Sequence, residues 1–416
     1  MNRSAMSKGA IVKGSIDNQK TEKIKKDSVA NKKLGNYFDY NLLIIVIFLV
    51  SFGLVILYSA SAFSARRMFG DDMHFFSRQA IISVVSIVIM LVITRFDYRL
   101  YSKFAFFIYG FSLLLMVLVQ TPLGVEAYGA RRWLPILGTE YTFQPSQFTK
   151  LAVIVFISYI ICRYGKRAFT MKGALKIFAY GTVAAAAVFV LTEDLSTAIV
   201  VMSITVGLYF VVHPKYKWFV IAALAAIVVV IAGLQFIGNN LDVSENFRMV
   251  RIITWLDPEA HPETGGFQIL QSLYAIGSGG FWGRGLGNGT QKLGIIPEIH
   301  NDMILAVIAE ELGVFGVLIL LLLFGMLLYR LMFIAQNAPN LFCSLLVTGI
   351  FIQIAVQVIL NIAVVTNLVP TTGITLPFIS FGGTSILFLM AKIGIALGVS
   401  RQIVIEDEEV FDNKST

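Results

Sequence analysis

Long apolar runs separated by short polar segments dominate the chain. A transmembrane helix needs about 20 mainly apolar residues to cross a hydrocarbon core of roughly 30 Å. About ten runs approach this length, with approximate limits of 41–62, 79–95, 102–120, 146–163, 175–191, 195–212, 218–237, 303–329, 341–366 and 384–400. The pattern predicts an all-α, polytopic membrane protein, with about ten transmembrane helices in one bundle.

Composition supports a membrane location. The 416 residues are 57% hydrophobic and 14% charged, whereas soluble domains average about 45–50% apolar and about 25% charged residues. The mean hydropathy of +0.78 agrees. Most apolar side chains should therefore contact lipid or neighbouring helices, which excludes a soluble protein with one water-excluded core. Cys162 and Cys343 have no ligand spacing, so they give no information about zinc, and we expect no disulfide.

Positive charge is concentrated in the first 38 residues. They contain nine Lys or Arg residues and three acidic residues, a net charge of +6. We expect residues 1–38 to form a disordered basic cytoplasmic tail, 39–401 the transmembrane domain, and 402–416 an acidic cytoplasmic tail. Basic charge beside a span is explained by membrane orientation and anionic lipid, so we expect no nucleic-acid partner.

Basic residues also sort the loops into two sets. By the positive-inside rule, the side that carries them is cytoplasmic. That set comprises the basic tail and the residues Arg95, Arg99, Lys103, Arg163, Lys166, Arg167, Lys172, Lys176, Lys215, Lys217, Arg330 and Arg401. The opposite side receives 64–78, 121–145, 238–301 and 367–383. The orientation predicts a membrane protein with both termini cytoplasmic and large extracytoplasmic loops, the kind of loop that often carries function.

An acidic residue marks the point where the longest loop enters a span. Asp302 precedes the apolar run 303–329 and follows Glu298 and His300. A partly buried carboxylate can act as a general base, because burial raises the pKa of an acid. The alternative is a carboxylate that only complements the dipole of the following helix. Spacing alone leaves both interpretations open.

Two more acids, Glu310 and Glu311, lie inside the same run. Adjacent helical residues diverge by about 100°, so we expect only one of them to point into the bundle. Because charges within a membrane are costly, each is a functional candidate. The simpler role is a structural ion pair or hydrogen bond, for which Lys392 in the last span is a candidate partner.

A basic and aromatic cluster occupies another loop on the extracytoplasmic side. Arg131, Arg132 and Trp133 precede Lys150, which lies just inside the fourth run. Arginine forks suit phosphate oxygens, and a lysine at headgroup depth can meet the same groups. The alternative is anchoring to lipid headgroups by an interfacial tryptophan. Asp194, Arg248 and Arg251 add ionisable groups on this side.

Two glycine-rich segments complete the set of candidates. Residues 279–287 do not follow a parallel strand and lack the terminal Lys-Ser/Thr of a phosphate loop, so we expect their turns to approach a glycan or lipid headgroup. Residues 370–385 resemble a re-entrant segment that includes Ser380 and Ser385. Non-helical backbone at membrane depth requires a protein-lined cavity.

Taken together, the motifs closely resemble those of the SEDS family (shape, elongation, division and sporulation). They are Gly-Ala-Arg-Arg-Trp at 129–133, Gln-Pro-Ser at 144–146 with Lys150, the stretch 271–287, Glu298-x-His300-x-Asp302 with Glu310-Glu311, and 377–385. The resemblance covers about residues 40 to 401 and is greater to the FtsW branch than to RodA, judging by 58–61 and 372–377. The chain departs from the family pattern at Gln147, where a glutamate is usual, and at 193–196.

The resemblance implies a peptidoglycan glycosyltransferase that polymerises lipid II at the outer face of the inner membrane in septal wall synthesis during cell division. Its partners would be a class B penicillin-binding transpeptidase and divisome proteins. The family's essential aspartate matches Asp302, which would take a proton from the acceptor sugar as undecaprenyl pyrophosphate leaves with inversion. The residues expected to bind substrate are Arg131, Arg132, Trp133, Lys150, Glu298, His300, Ser380 and Ser385.

No cofactor is certain, although a divalent cation (Mg²⁺ or Mn²⁺) could help the basic residues to stabilise the departing charge. Two other functions remain open. A lipid II flippase would place charges along a path through the whole bilayer, whereas a non-catalytic scaffold would only activate a partner synthase.

Overall fold

The structure is a computed structural model that describes residues 35–127, 130–136, 142–215, 217, 219–221, 224, 247–262, 265–292 and 300–405. Its helices are α1 (Tyr40–Phe69), α2 (His74–Ile93), α3 (Tyr98–Val119), α4 (Pro145–Tyr164), α5 (Met171–Thr192), α6 (Leu195–Val212), α7 (Phe247–Leu256), α8 (Gly266–Gly279), α9 (Ile304–Gln336), α10 (Leu341–Val365) and α11 (Thr384–Ser400). A 3₁₀ turn, Gly165–Phe169, follows α4.

The predicted all-α membrane fold is confirmed. Eight of the described helices are long and apolar enough to cross a membrane: α1 to α6, α9 and α10. The shorter apolar helix α11 coincides with the tenth predicted run, 384–400. The predicted run 218–237 lies almost entirely outside the described residues.

Helix α1 is longer than its apolar run. It begins after Asp39, whose carboxylate accepts a hydrogen bond from the Leu42 amide at 2.9 Å. It continues past residue 62 through polar residues and ends at Gly70, where φ is 73°. Hydropathy therefore marks the membrane-embedded part of a helix, whereas capping residues mark its ends.

Helix α4 is the most buried of the eight spans, followed by α10 and α6. It packs against α3, α5, α6 and α10, while α11 packs along α2. The outer helices α2 and α5 expose most of their apolar surface, as expected for side chains that contact lipid. The central position of α4 places Lys150 inside the bundle, where it is 2% exposed.

The end of the bundle that carries Asp302, α7, α8 and a small antiparallel sheet is called here the loop face. The sheet contains β2 (Val125–Ala127), β3 (Ala130–Pro135) and β4 (Thr142–Phe143) in that order. Residues opposite each other include Trp133 with Val125, and Arg131 with Glu126. The sheet thus presents the basic cluster at the mouth of α4.

The helical unit extends from Phe38 to Gln402. Arg330 of α9 pairs with the buried Asp39 at 2.7 Å and so ties α9 to the start of α1. A second unit contains the residues before Phe38 and after Gln402. Within it, β1 (Gly35–Asn36) pairs antiparallel with β5 (Val404–Ile405).

Candidate functional site

Asp302 lies half-buried in the turn that leads into α9. The N-cap of α9 is Met303, and no side chain caps this helix, so Asp302 is not the capping group. The backbone carbonyl of Asp302 accepts a hydrogen bond from Asn361 Nδ2 at 2.8 Å. The same amide group donates to the Ile374 carbonyl at 2.8 Å. The buried Asn361 of α10 therefore fixes the Asp302 turn against the 367–383 segment.

Helix α7 places a cation beside this carboxylate. Burial lowers the pKa of Arg251, the like charge of Arg132 lowers it further, and the carboxylates of Asp302 and Asp194 oppose this shift. A guanidinium group stays charged despite such a shift. The four side chains Arg132, Asp194, Arg251 and Asp302 are called here the Asp302 charge cluster.

The 367–383 segment holds α7 in place. Arg251 Nη1 donates to the Thr371 carbonyl at 3.4 Å, and Trp255 Nε1 donates to the Asn367 carbonyl at 3.0 Å. Because both contacts use backbone carbonyls, they fix the position of the helix without neutralising Arg251.

Arg132 is the member of the Asp302 charge cluster that lies on the sheet. Its Nε and Nη2 atoms donate to the carbonyls of Thr192 and Glu193, both at 3.0 Å, at the end of α5. Glu193 has a left-handed backbone with φ of 51°, which ends α5 and presents these carbonyls. The next residue, Asp194, caps α6 by accepting from the Thr197 amide at 2.9 Å.

The two adjacent arginines do not form one fork. Arg131 pairs with Glu126 at 3.5 Å, and both side chains are about half exposed. Successive strand residues point to opposite faces of a sheet, which explains why Arg132 belongs to the Asp302 charge cluster and Arg131 does not. Trp133, which follows them, is half-buried.

Lys150 extends the cluster into the bundle. It lies in the second turn of α4 and interacts electrostatically with Asp194. Asp194 also interacts with Arg251, which in turn interacts with Asp302. Charges of alternating sign thus connect the bundle interior with the mouth of α9.

The other predicted binding residues occupy different surroundings. His300 is buried and its ring lies 4.5 Å from that of Phe75. Ser380 Oγ accepts a hydrogen bond from the Leu376 amide at 2.8 Å and so stabilises a turn. Ser380 and Ser385 line a small cavity together with Lys392. Glu298 lies outside the described residues.

The expected pairing of Glu310 or Glu311 with Lys392 is wrong. Both glutamates are fully buried. Glu311 pairs with Lys292 at 2.6 Å, and Glu310 pairs with Arg284 at 3.6 Å. The expectation that only one of the two would point into the bundle is also wrong, since the 279–292 loop supplies a basic partner to each buried carboxylate. Lys392 instead donates to Gln353 Oε1 at 2.8 Å.

The glycines of 279–287 include one that permits a close contact with α9. The backbone amides of Arg284 and Gly285 donate to the carbonyls of Glu310 and Glu311 at 3.0 and 2.9 Å. A Cβ atom on Gly283 would overlap the Glu311 carbonyl, so only glycine permits this approach. The tight turn at Gly283 therefore serves contact with α9, and an approach of this segment to a glycan or lipid headgroup stays a prediction.

The sequence analysis assigned no role to three residues: Arg251, Asn361 and Lys292. Arg251 was only one of several loop charges, and its contact with Asp302 depends on long-range folding. Asn361 could have been noticed as a polar side chain within an apolar run. Lys292 gave no local signal in the sequence.

Among the residues that the structure describes, no three His, Cys, Asp or Glu side chains form a group that could hold a metal ion.

Comparison with known proteins gives one consistent result. A family model named for FtsW, RodA and SpoVE, and described as a cell cycle protein, matches residues 40–404. A probable peptidoglycan glycosyltransferase FtsW of Trichlorobacter lovleyi is 37% identical over 364 residues, which are 87% of this chain and 93% of the relative. The stage V sporulation protein E of Bacillus subtilis is 37% identical over 366 residues, 87% and 97% of the two chains.

Solved structures share the fold. A chain of a peptidoglycan synthase complex that coordinates polymerization and crosslinking superposes with a TM-score of 0.72 at 27% identity, covering 88% of this chain and 98% of that chain. The rod shape determining protein RodA of Thermus thermophilus superposes with a TM-score of 0.60 at 26% identity, covering 89% and 98%.

Proposed function

Because this chain belongs to the FtsW/RodA/SpoVE family of cell cycle proteins, we propose that it is a peptidoglycan glycosyltransferase that polymerises lipid II during septal wall synthesis in cell division. The observation that carries the proposal is the placement of Asp302 beside Arg251 at the mouth of α9. The printed name of the Trichlorobacter relative supports the activity. Polymerisation of lipid II by the purified protein is the test.

Asp302 acts as the general base in this proposal. Its carboxylate accepts the proton of an acceptor sugar hydroxyl, whose oxygen then forms a bond to the anomeric carbon of a second lipid-linked sugar. The bond from that carbon to the pyrophosphate breaks, so undecaprenyl pyrophosphate leaves and the configuration inverts. The half-buried position of Asp302 at the mouth of α9 suits this role, because a general base must lie within hydrogen-bond reach of the hydroxyl proton that it accepts.

The basic members of the site bind the pyrophosphate. Arg251 and Arg132 supply guanidinium charge, which attracts phosphate oxygens, and Lys150 adds a basic group near the bundle interior. Charge develops on the departing pyrophosphate in the transition state, where fixed cations in a site of low dielectric constant are most effective. A Mg²⁺ or Mn²⁺ ion could join them with few protein ligands, since Mg²⁺ is commonly held by one or two carboxylates and substrate phosphates.

An arginine pair provides a matched test of pyrophosphate binding. Arg132→Ala should raise the lipid II concentration that gives half-maximal rate by roughly 10- to 100-fold, because a charge-assisted contact is worth about 1.5–3 kcal/mol. Arg131→Ala on the adjacent, solvent-exposed position should change it less than about threefold, as should Arg66→Ala near the end of α1. If the three changes have equal and small effects on this lipid II concentration, Arg132 does not bind pyrophosphate and instead anchors the loop to lipid headgroups.

We also propose that the loop face is extracytoplasmic and that both termini are cytoplasmic. The natural Cys162 and Cys343 are free thiols and are first replaced by serine. A cysteine at Glu259, in an exposed turn after α7, should react with an impermeant maleimide in intact spheroplasts. A cysteine at Lys166 should react only after permeabilisation. The reverse pattern would overturn the orientation. Two other loop positions are not used for labelling. Gly265 has a φ of 111°, which disfavours any side chain, and Tyr128 lies outside the described residues.

The flippase alternative requires charged groups along a path through the bilayer. Glu310 and Glu311 do not favour it, because both are held by basic residues of the 279–292 loop. Lys392 lies at the midpoint of α11, eight residues or about 12 Å from either end, so it is the residue of these three that keeps the flippase alternative open. A cognate class B penicillin-binding transpeptidase is the proposed partner, in keeping with the likeness to a chain of a peptidoglycan synthase complex.

A further inference from the structure

Three neighbouring helices share one cluster of aromatic rings. The ring centroids of Phe106 and Tyr109 in α3 lie 4.9 and 4.2 Å from that of Phe156 in α4. The ring of Tyr180 in α5 lies 5.1 Å from that of Phe156, and the Tyr109 hydroxyl donates to the Tyr180 carbonyl at 2.7 Å. Tyr159 of α4 joins the cluster 6.1 Å from Phe106. These contacts fix α3, α4 and α5 to one another.

Each of these helices carries a cation one turn from the ring cluster, towards the end of the bundle opposite the loop face. The three cations are Lys103, Arg163 and Lys176, which lie three or four residues from Phe106, Tyr159 and Tyr180 respectively. Residues at this spacing are neighbours on a helix surface. Packing of the rings therefore brings the three cations to one end of the same three-helix group, where all three side chains are exposed.

The charge of these cations is not compensated within the part of the chain that the structure describes. No ion pair among the described residues includes any of the three. Asp97, which precedes α3, pairs instead with Arg99 at 3.9 Å. Arg163 donates to the neutral hydroxyl of Tyr159 at 3.3 Å. This end of α3, α4 and α5 is therefore positive and suits an anionic ligand.

Apolar side chains beside the cations favour a lipid over a soluble anion. Phe106 and Phe107 of α3 are exposed, as are Met171 and Leu175 at the start of α5. Exposed apolar residues on a span contact acyl chains, whereas cations in the terminal turns lie at the depth of the lipid headgroups. A membrane orientation set by charge requires only that cations lie on one side. It does not require one cation from each of three helices around a shared ring cluster.

We propose that Lys103, Arg163 and Lys176 form a binding site for an anionic phospholipid, and that a headgroup with two phosphodiesters, such as diphosphatidylglycerol, binds best. Phosphate oxygens form charge-assisted hydrogen bonds with lysine and arginine, and basic pockets between transmembrane helices suit such headgroups. Three cations exceed the single charge of one phosphodiester, so a second phosphate is accommodated. The bound lipid links α3, α4 and α5. The proposal does not depend on the enzymatic activity.

Native mass spectrometry of the full-length protein in detergent tests the site. Delipidated protein is titrated with diphosphatidylglycerol or with phosphatidylcholine of the same acyl chains. The anionic lipid should bind at least about tenfold more tightly, because only its headgroup carries net negative charge. Inorganic phosphate at the same concentration should not displace it. Equal binding of the two lipids would show that the apolar surface alone holds lipid, and displacement by phosphate would indicate a site for a soluble anion; either result would overturn the proposal.

Matched pairs of substitutions locate the site. Lys103→Gln with Arg163→Gln should weaken binding of diphosphatidylglycerol by roughly 30-fold, since each cation near the headgroups contributes about fivefold. Addition of Lys176→Gln should bring the loss to roughly 100-fold. Arg66→Gln with Arg67→Gln removes two exposed cations at the other end of the bundle and should leave the affinity nearly unchanged.

The substituted side chains are exposed, so each variant should fold and keep the wild-type unfolding midpoint in lipid-free detergent. This control separates lost lipid binding from lost structure. If the two double variants bind diphosphatidylglycerol with equal affinity, the cations of α3 and α4 do not form the site and the proposal is wrong.

Discussion

Asp302→Asn is expected to lower the rate of lipid II polymerisation by roughly 10²–10⁴. Asparagine preserves the size of the side chain and its hydrogen bonding to neighbours, but its amide cannot accept the proton of the acceptor hydroxyl. The backbone of residue 302 is held by Asn361 through its carbonyl, so the turn should keep its shape. The measurement is the initial rate of glycan formation by the purified variant, compared with wild-type protein.

Folding controls separate chemistry from stability. The Asp302→Asn protein should elute as wild type in size-exclusion chromatography, keep its unfolding midpoint and still bind its transpeptidase partner. If Asp302 only complemented the dipole of α9, the change would cost less than about 1 kcal/mol of stability and would spare turnover. A near-normal polymerisation rate would therefore remove Asp302 from the mechanism.

Lys292→Met is expected to destabilise the protein strongly, by about 3–5 kcal/mol, because it leaves the fully buried carboxylate of Glu311 without its cation. The pair measures 2.6 Å, and Lys292 is only 7% exposed. Ser59 of α1 donates to Glu311 at 2.8 Å but carries no charge to replace the ammonium. Thermal or denaturant unfolding in detergent would measure the loss.

A double variant and a surface control sharpen this test. Lys292→Met combined with Glu311→Gln removes both charges and should recover most of the lost stability. Arg131→Ala breaks the exposed pair with Glu126 and should cost no more than about 1 kcal/mol. If the Lys292 and Arg131 variants unfold at the same midpoint, the buried pair does not hold the 279–292 loop against α9.

Most of the helical fold was predictable because a bilayer imposes its thickness on each span. The predicted run 195–212 coincides with α6. The helix ends were less predictable, since α1 extends to Phe69 through polar residues and α9 continues to Gln336. Hydropathy reports the lipid-embedded length, whereas helix ends depend on local capping.

The site was predictable only in part. The motif around Asp302 and the family resemblance located a catalytic candidate, and the family assignment is confirmed. The electrostatic interaction of Asp302 with Arg251 was not predictable, because these residues are about 50 positions apart and approach each other only through folding. Helical geometry led us to expect that only one of Glu310 and Glu311 would be buried, yet both are, because the 279–292 loop brings a basic residue to each of them.

Glycan synthesis by the complex of this protein with its class B transpeptidase tests the central claim most directly. Purified complex, with the transpeptidase blocked by penicillin, is given labelled lipid II, and the products are separated by length on a gel. The proposed function predicts a ladder of uncrosslinked glycan strands, which the Asp302→Asn complex fails to form. A folded wild-type complex that makes no strands, but moves labelled lipid II between the leaflets of a vesicle, would contradict the polymerase and support the flippase.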